Sequence, residues 1–93
     1  MKQYGWDAAK NEKLKKERGI TFEDILMAIG EGGLLDVLEH PNKRKFGGQK
    51  LFIVQVFDYI YLVPFVETEE KIFLKTIIPS RKYTKKYRRN YEK

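Results

Sequence analysis

Cysteine is missing from this chain of 93 residues, and histidine occurs once, at His40. Without cysteine the protein has no disulfide, no thiolate nucleophile and no cysteine-based metal site. His40 stands next to Pro41 in a polar segment marked by Gly47 and Gly48, and we predict an exposed loop there, with catalysis by His40 as the alternative. A serine–histidine–aspartate or cysteine–histidine arrangement cannot be assembled from this composition.

Long apolar runs are also missing. No stretch approaches the ~20 apolar residues that a helix needs to cross a bilayer, and the N-terminus lacks the charged-then-apolar pattern of a signal peptide. We therefore expect a cytoplasmic protein without a membrane partner. The 42% of hydrophobic residues suffice for one core, and the length predicts a single domain over residues 1–93.

Positive charge is concentrated at the C-terminal end. Residues 81–93 contain seven Lys or Arg and one Glu, which equals the net charge of +6 of the whole chain, so residues 1–80 are neutral as a group. A cluster of this kind indicates a polyanion partner, most often nucleic acid. The alternatives are a solvated surface helix or a helix that docks on an acidic protein.

Capping signals predict two helices near the N-terminus. Asp7 is suited to cap a helix from Ala8 to about Arg18, and Gly19 fits the left-handed position that ends it. Thr21 is suited to cap a second helix. Its core face is predicted from the spacing i, i+3, i+4, i+7 of Phe22, Ile25, Leu26 and Ile29.

Four β-rich runs follow, at Leu34–Glu39, Lys50–Phe57, Ile60–Val66 and Lys71–Ile78, and residues 2–5 are a candidate short strand. Pro64 predicts an edge strand or a bulge, because proline cannot donate to the ladder. Alternation places Ile72, Leu74, Thr76 and Ile78 on one face. Ser80 is suited to cap a final helix. The order predicts an α+β fold with an N-terminal helix pair, an antiparallel sheet of about four strands and a C-terminal basic helix.

The chain resembles the BrnT-type toxins of type II toxin–antitoxin systems, which have a RelE/ParE-like fold. The resemblance rests on residues 5–11 (Gly-Trp-Asp-Ala-Ala-Lys-Asn), 15–24 (Lys-Lys-Glu-Arg-Gly-Ile-Thr-Phe-Glu-Asp) and 77–82 (Ile-Ile-Pro-Ser-Arg-Lys), in this order and spacing. Two positions depart from the family pattern: Arg18 stands where the family usually has His, and Thr76 stands where it has Arg.

The resemblance implies a metal-independent ribonuclease without a cofactor, which cleaves mRNA and inhibits translation. It also implies a cognate antitoxin, often of the ribbon-helix-helix type, that neutralises the toxin, with operator DNA bound only through the complex of the two. The departure at Thr76 favours an alternative, a non-catalytic RNA- or DNA-binding module of the same fold.

Arg81 is the first candidate for a scissile-phosphate ligand, because it matches the family motif and begins a helix, where anions bind well. Lys75 is a candidate second phosphate contact, and Lys10 and Glu67 are further catalytic candidates. The alternatives are a surface salt bridge for Arg81 and solvated side chains for Lys75 and Lys10. Acidic residues show no spacing typical of metal ligation, so we predict no metal site.

A second set of residues is predicted to bind RNA through charge or base stacking. It consists of Lys43, Arg44, Lys45, Lys82, Lys85, Lys86, Tyr87, Arg88 and Arg89. For Tyr87 the alternative is packing on the sheet, since Tyr83, Tyr87 and Tyr91 recur every four residues.

Overall fold

A computed structural model of the chain describes residues 2–39, 44 and 49–91, with side chains up to Tyr87 in the final helix. The described part has an α+β architecture, which confirms the predicted class. Its elements are β1 (Gln3–Gly5), α1 (Ala8–Arg18), α2 (Phe22–Gly30), β2 (Leu34–Glu39), β3 (Gln49–Val56), β4 (Tyr59–Glu67), β5 (Lys71–Leu74), β6 (Ile78–Pro79) and α3 (Arg81–Tyr91).

The N-terminal helices begin and end at the predicted caps. The Asp7 carboxylate accepts hydrogen bonds from the backbone N–H groups of Ala9 and Lys10, and Gly19 ends α1 with a φ of 67°. Thr21 and Asp24 form a reciprocal capping box at the start of α2. These hydrogen bonds satisfy donors that the first turn of a helix otherwise leaves without partners.

Asn11 joins the two helices. This buried side chain donates from Nδ2 to a carboxylate oxygen of Glu23 at 2.6 Å and accepts the Phe22 N–H at 2.8 Å. Both of its polar ends are therefore satisfied inside the protein, as buried amides require. The angle between α1 and α2 is fixed by this residue as well as by apolar packing.

The sheet is mixed, and the expectation of about four antiparallel strands is wrong on both counts. Its order is β1-β5-β4-β3-β2, and β6 also pairs with β4. The central pairs are antiparallel, but β1 lies parallel to β5. A parallel pair needs a long crossover connection, and here the connection from β1 to β5 contains α1, α2 and three strands, which no local sequence signal reveals.

A one-residue bulge separates β5 from β6. Both strands pair antiparallel with β4, but Leu74 faces Phe65 whereas Ile78 faces Leu62, so residues 75–77 lie opposite residues 63–64. The Pro64 carbonyl accepts the Lys75 N–H at 2.8 Å. Because N and C=O of a strand residue point to the same side, the ring nitrogen of Pro64 also faces the bulge.

Pro64 is therefore tolerated in a central strand, and the predicted edge position is wrong. The alternative prediction, a bulge at Pro64, is close to what is found, since the bulge lies in the neighbouring strand. Because of the extra residue, the side chains that follow it face the opposite side of the sheet from the one that regular alternation predicts. Ile77 is fully buried and Ile78 is 42% exposed, so the prediction that Ile78 shares a face with Leu74 is wrong.

Helices cover both faces of the sheet. On the first face, Phe52, Val54, Val63, Phe65 and Leu74 form the main core with residues of α1 and α2. The second face carries the residues that alternate with these, among them the buried Leu51, Ile53 and Ile60. The helix α3 contacts β4 on this side. None of the helices in the described ranges has the length and hydropathy required to cross a bilayer.

Candidate nucleic-acid interface

Hydrogen bonds to the start of β4 hold α3 in place. The Ser80 N–H donates to the Ile60 carbonyl at 3.0 Å, and the Ser80 hydroxyl accepts the Tyr83 N–H at 3.2 Å, which confirms Ser80 as the helix cap. One turn later, the buried Thr84 hydroxyl donates to the Ser80 carbonyl at 2.7 Å and accepts the Ile60 N–H at 2.9 Å. Two residues thus attach α3 to a single point of the sheet.

Tyr83 and Tyr87 of α3 face the sheet. Tyr83 and Tyr87 are half-buried, with ring centroids 6.4 Å apart. Burial raises the pKa of Tyr87, and the negative charges of Asp36 and, at high pH, Tyr83 raise it further. Asp36 belongs to β2, so α3 extends from β4 across β3 towards β2. The half-buried Tyr87 is consistent with packing on the sheet, the alternative considered for this residue.

The opposite side of α3 presents cations to solvent. The side chains of Arg81, Lys82, Lys85 and Lys86 are exposed, and we call them the basic surface. Lys86 Nζ lies 5.8 Å from the centroid of the Tyr83 ring, within the range of a cation–π contact. Because Tyr83, Thr84 and Tyr87 occupy the inner side, the described side chains of this helix separate packing residues from charged ones.

Among the other residues predicted to bind RNA, Arg44 has a described side chain. Arg44 is exposed in a turn between β2 and β3. Lys43 and Lys45 lie outside the described residues, as do the side chains of Arg88 and Arg89. His40, predicted to be a loop residue, is also outside the described ranges.

Lys75 belongs to the bulge and shares the second face with α3. Its Nζ lies 5.4 Å from the ring centroid of Phe73, two residues earlier on the same face of the strand, and the lysine is exposed. Only residues 76–80 separate Lys75 from the basic surface along the chain. The two candidate phosphate ligands, Lys75 and Arg81, therefore flank the short strand β6.

Glu67 lies at the far end of β4 from the attachment point of α3. It lies seven residues after Ile60 in the strand, roughly 24 Å away at about 3.4 Å per strand residue. Its carboxylate forms an ion pair with Lys2 Nζ at 2.5 Å. That hydrogen bond, followed by the charges of Lys2 and Lys50, lowers the pKa of Glu67. The structure thus gives Glu67 a salt-bridge role and does not bring it to Arg81.

Lys10 is also separate from the basic surface. It is a half-buried residue in the first turns of α1, the layer that packs on the first face of the sheet, and its N–H donates to Asp7. Lys75 and α3 lie on the second face. The four residues predicted to be catalytic are therefore distributed over both sides of the sheet and over both ends of β4.

Arg18 has a structural role that sequence reasoning missed. Its guanidinium donates from Nη1 to the Ile77 carbonyl at 2.8 Å, which ties the end of α1 to the bulge that leads into α3. The only sequence signal was its place in the family-like motif, where it replaces His. This contact holds the strand β6, which precedes Arg81, close to the end of α1.

A groove near the end of α2 was not predicted either. Its volume is about 610 Å³, and it is lined by Gly19, Ile20, Asp24, Met27, Ala28, Glu31, Gly32, Gly33, Gln55, Val56, Phe57 and Tyr61. The lining contains two carboxylates and no Lys or Arg, so this groove is unsuited to a phosphodiester. Within the described residues no cluster of three potential metal ligands is found.

Comparison of the chain with protein-family models, with curated proteins and with solved structures found no match.

Proposed function

We propose that this protein is a toxin of a type II toxin–antitoxin system that acts on RNA, as a metal-independent ribonuclease that cleaves mRNA and inhibits translation. The observation that carries the proposal is the basic surface of α3, four exposed cations on a helix whose other side is fixed to the sheet. Lys75 adds a fifth exposed cation on the same face. The resemblance to BrnT-type toxins in residues 5–11, 15–24 and 77–82 supports the assignment to such a system.

Clustered lysines and arginines bind RNA mainly through its phosphates. Each neutralised phosphate releases counterions, so affinity depends steeply on salt concentration. The guanidinium of Arg81 can form two parallel hydrogen bonds with one phosphate, and Lys75 can contact a neighbouring one. In a cleavage reaction these cations would stabilise the negative charge that develops on the phosphorus oxygens as the 2′-hydroxyl attacks.

The second candidate function is RNA binding without cleavage. It is favoured by the separation of Glu67 and Lys10 from Arg81, because a proton donor or acceptor must lie within hydrogen-bond reach of the reacting atoms. Under this alternative the basic surface holds RNA, and neither Glu67 nor Lys10 lies beside it to transfer a proton.

Inducible expression in a bacterial host, with purified protein assayed on single-stranded RNA in excess EDTA, tests the first proposal. We expect growth arrest and RNA cleavage by the wild type and a loss of at least tenfold in cleavage rate for Arg81→Ala, as removal of one transition-state cation implies. Lys13→Ala is the matched control, because Lys13 is an exposed lysine on α1. It removes the same charge and should cleave normally.

The two candidates give different results in the same assay. A protein that neither slows growth nor cleaves RNA, yet binds RNA with an affinity that falls steeply with salt, supports the module and eliminates the ribonuclease. Equal cleavage by Arg81→Ala and Lys13→Ala eliminates Arg81 as the phosphate ligand. A cognate antitoxin, often of the ribbon-helix-helix type, is part of the first proposal, and co-expression of such a partner should restore growth.

A further inference from the structure

The groove at the end of α2 lies away from the basic surface. It is formed by residues 19–20 before α2, by α2 from Asp24 onwards, by the glycine turn that follows and by the hairpin between β3 and β4. The helix α2 and Tyr61 of its lining lie on the first face of the sheet, whereas α3 covers the second. Its volume of about 610 Å³ is in the range of sites that take a ligand or a side-chain cluster.

Two exposed apolar side chains form the rim. Met27 is 65% exposed and Phe57 is 93% exposed. Phe57 also has a φ of 56°, a left-handed conformation that bulky residues rarely adopt, at the first position of a two-residue hairpin turn. Glycine or asparagine suits this position better. An aromatic residue that is both strained and solvated is typical of binding sites, where such costs persist because the side chain has a role.

The floor of the groove is rigid. The Gly33 N–H donates to the Ala28 carbonyl at 2.7 Å, and the Gly33 carbonyl accepts the Gln55 N–H at 2.8 Å. A Cβ atom added at Gly33 would lie 2.6 Å from the Gln55 carbonyl oxygen, so only glycine allows this approach of the α2 turn to β3. The groove is therefore already formed in the free protein and needs little rearrangement to bind.

The rim is acidic although the protein is basic. Residues 19–33, which supply most of the lining of the groove, contain three Asp or Glu and no Lys or Arg, in a chain with a net charge of +6. Asp24 and Glu31 line the groove, and neither forms an ion pair within the described residues. At physiological ionic strength charges are screened beyond about 8 Å, so a bound segment experiences these local carboxylates more than the distant cations of α3.

We propose that this groove binds an amphipathic, cationic segment of a partner protein. Apolar side chains of the segment pack between Met27 and Phe57, and its Lys or Arg residues pair with Asp24 and Glu31. Helices with one apolar face commonly bind in grooves of this kind. The basic helix of a second copy fits less well, because its exposed side, up to Tyr87, has Lys82 and Lys85 but no apolar anchor. The inference does not depend on RNA binding, which the opposite face would perform.

Fluorescence anisotropy with three labelled peptides tests the inference on the intact protein. The first peptide has 14 residues, with Leu at i, i+3, i+4 and i+7 spacing and Lys elsewhere. The second replaces every Lys by Glu, and the third replaces every Leu by Ser. We expect the Leu/Lys peptide to bind at least tenfold more tightly than either control, because the groove requires both apolar anchors and positive charge.

Variants locate the binding. Glu31→Lys should weaken binding of the Leu/Lys peptide at least fivefold, whereas Glu12→Lys, the same charge change on the exposed side of α1, should alter it less than twofold. Phe57→Asn should weaken binding at least fivefold while leaving the midpoint of urea unfolding unchanged or higher, because asparagine tolerates a positive φ. If Phe57 had only a structural role, Phe57→Asn would not weaken peptide binding while the midpoint of urea unfolding stayed unchanged or rose.

Several results would overturn the proposal. Equal binding of the Leu/Lys and Leu/Glu peptides removes the electrostatic argument, and absence of binding up to 1 mM removes the site. Equal losses for Glu31→Lys and Glu12→Lys place binding elsewhere. Amide chemical shifts of Met27 and Phe57 that depend on protein concentration without peptide identify a second copy as the occupant instead.

Discussion

The helices α2 and α3 both pack on the sheet, on opposite faces, and they do so by different means. In α2, Phe22 and Ile25 are completely buried, and the capping box adds local hydrogen bonds. In the described side chains of α3, the most buried residue is Thr84, and Tyr83 and Tyr87 are only half-buried. Burial of apolar side chains stabilises α2, whereas hydrogen bonds and half-buried tyrosines hold α3 on the sheet.

The difference indicates how the protein divides its tasks. Burial of apolar side chains is the main stabilising contribution in folding, and α2 supplies it. Elements with few buried apolar contacts open more easily than the core, and α3 belongs to this class. The exposed side of α3 carries positive charges, which are well solvated and can contact a polyanion. The predictions below test this division, beginning with the largest expected effect.

Removal of the largest α2 anchor should be the most damaging change. Phe22→Ala should lower the free energy of unfolding by about 3–5 kcal/mol, because a fully buried ring that stacks on Trp6 leaves a cavity. Urea unfolding followed by circular dichroism measures this loss. Tyr83→Ala on α3 is the comparison and should cost less. If Tyr83→Ala costs as much, α3 is anchored as firmly as α2.

The hydroxyl of Thr84 should matter more than its methyl group. Thr84→Val removes the acceptor of the buried Ile60 N–H, and such an unsatisfied group costs about 1–3 kcal/mol. Thr84→Ser retains the hydroxyl and is the control. We expect the valine variant to show faster hydrogen exchange in α3 with unchanged exchange in α2. Equal exchange in Thr84→Val and Thr84→Ser would show that packing, not the hydrogen bond, attaches α3.

Single lysines of the basic surface should change RNA affinity without changing stability. Lys85→Ala should reduce the slope of log affinity against log salt by about 0.7, the value for one lost phosphate contact on a single strand. Lys16→Ala, which removes an exposed lysine of α1, should leave the slope unchanged. Filter binding at several salt concentrations measures both. A larger change for Lys16→Ala would place the RNA on the other side of the protein.

Each of the two faces has a tyrosine whose pKa is raised. Burial raises the pKa of Tyr61 above 10.0, followed by the charges of Tyr59 and Asp24, and burial raises that of Tyr87, followed by Asp36 and Tyr83. A raised pKa means that stability falls as pH increases from the unfolded value of 10.0 through the folded value.

Asp36→Asn should therefore lower the pKa of Tyr87 and leave that of Tyr61 unchanged, with the converse for Asp24→Asn. Burial remains in both variants, so each value should stay above that of a free tyrosine. NMR titration of the ring carbons resolves the two groups, and Glu12→Gln on α1 is the control. A response of Tyr61 to Asp36→Asn would contradict the placement of Asp36 on the α3 side.

Much of the fold could be predicted from sequence because its signals are local. Asp7, Gly19 and Thr21 act within one helical turn, and the bounds Ala8 to Arg18 agree with the prediction. Ser80 could also be predicted as a cap, because a capping hydrogen bond joins residues within one helical turn. The direction of β1 and the exposure of Ile78 could not be predicted, because they depend on strand pairing between residues far apart in the chain.

The candidate site divides in the same way. Concentration of charge in residues 81–93 is visible in the sequence, and the exposure of Arg81, Lys82, Lys85 and Lys86 agrees with it. Their separation from Glu67 and Lys10 was not visible, since it follows from the length of β4 and from the side of the sheet on which each helix lies. Reasoning from composition likewise could not reveal that Asp24 and Glu31 line a groove.

The sequence by itself determined the bounds of the two N-terminal helices, the approximate β-rich segments and where the positive charge lies, because capping, periodicity and charge are properties of neighbouring residues. Tertiary structure decided the rest. Ile77 and Ile78 are equally apolar, and only the one-residue bulge opposite Pro64 decides which of them is buried. In the same way, only the packing of α2 and α3 on opposite faces separates an acidic groove from a basic surface.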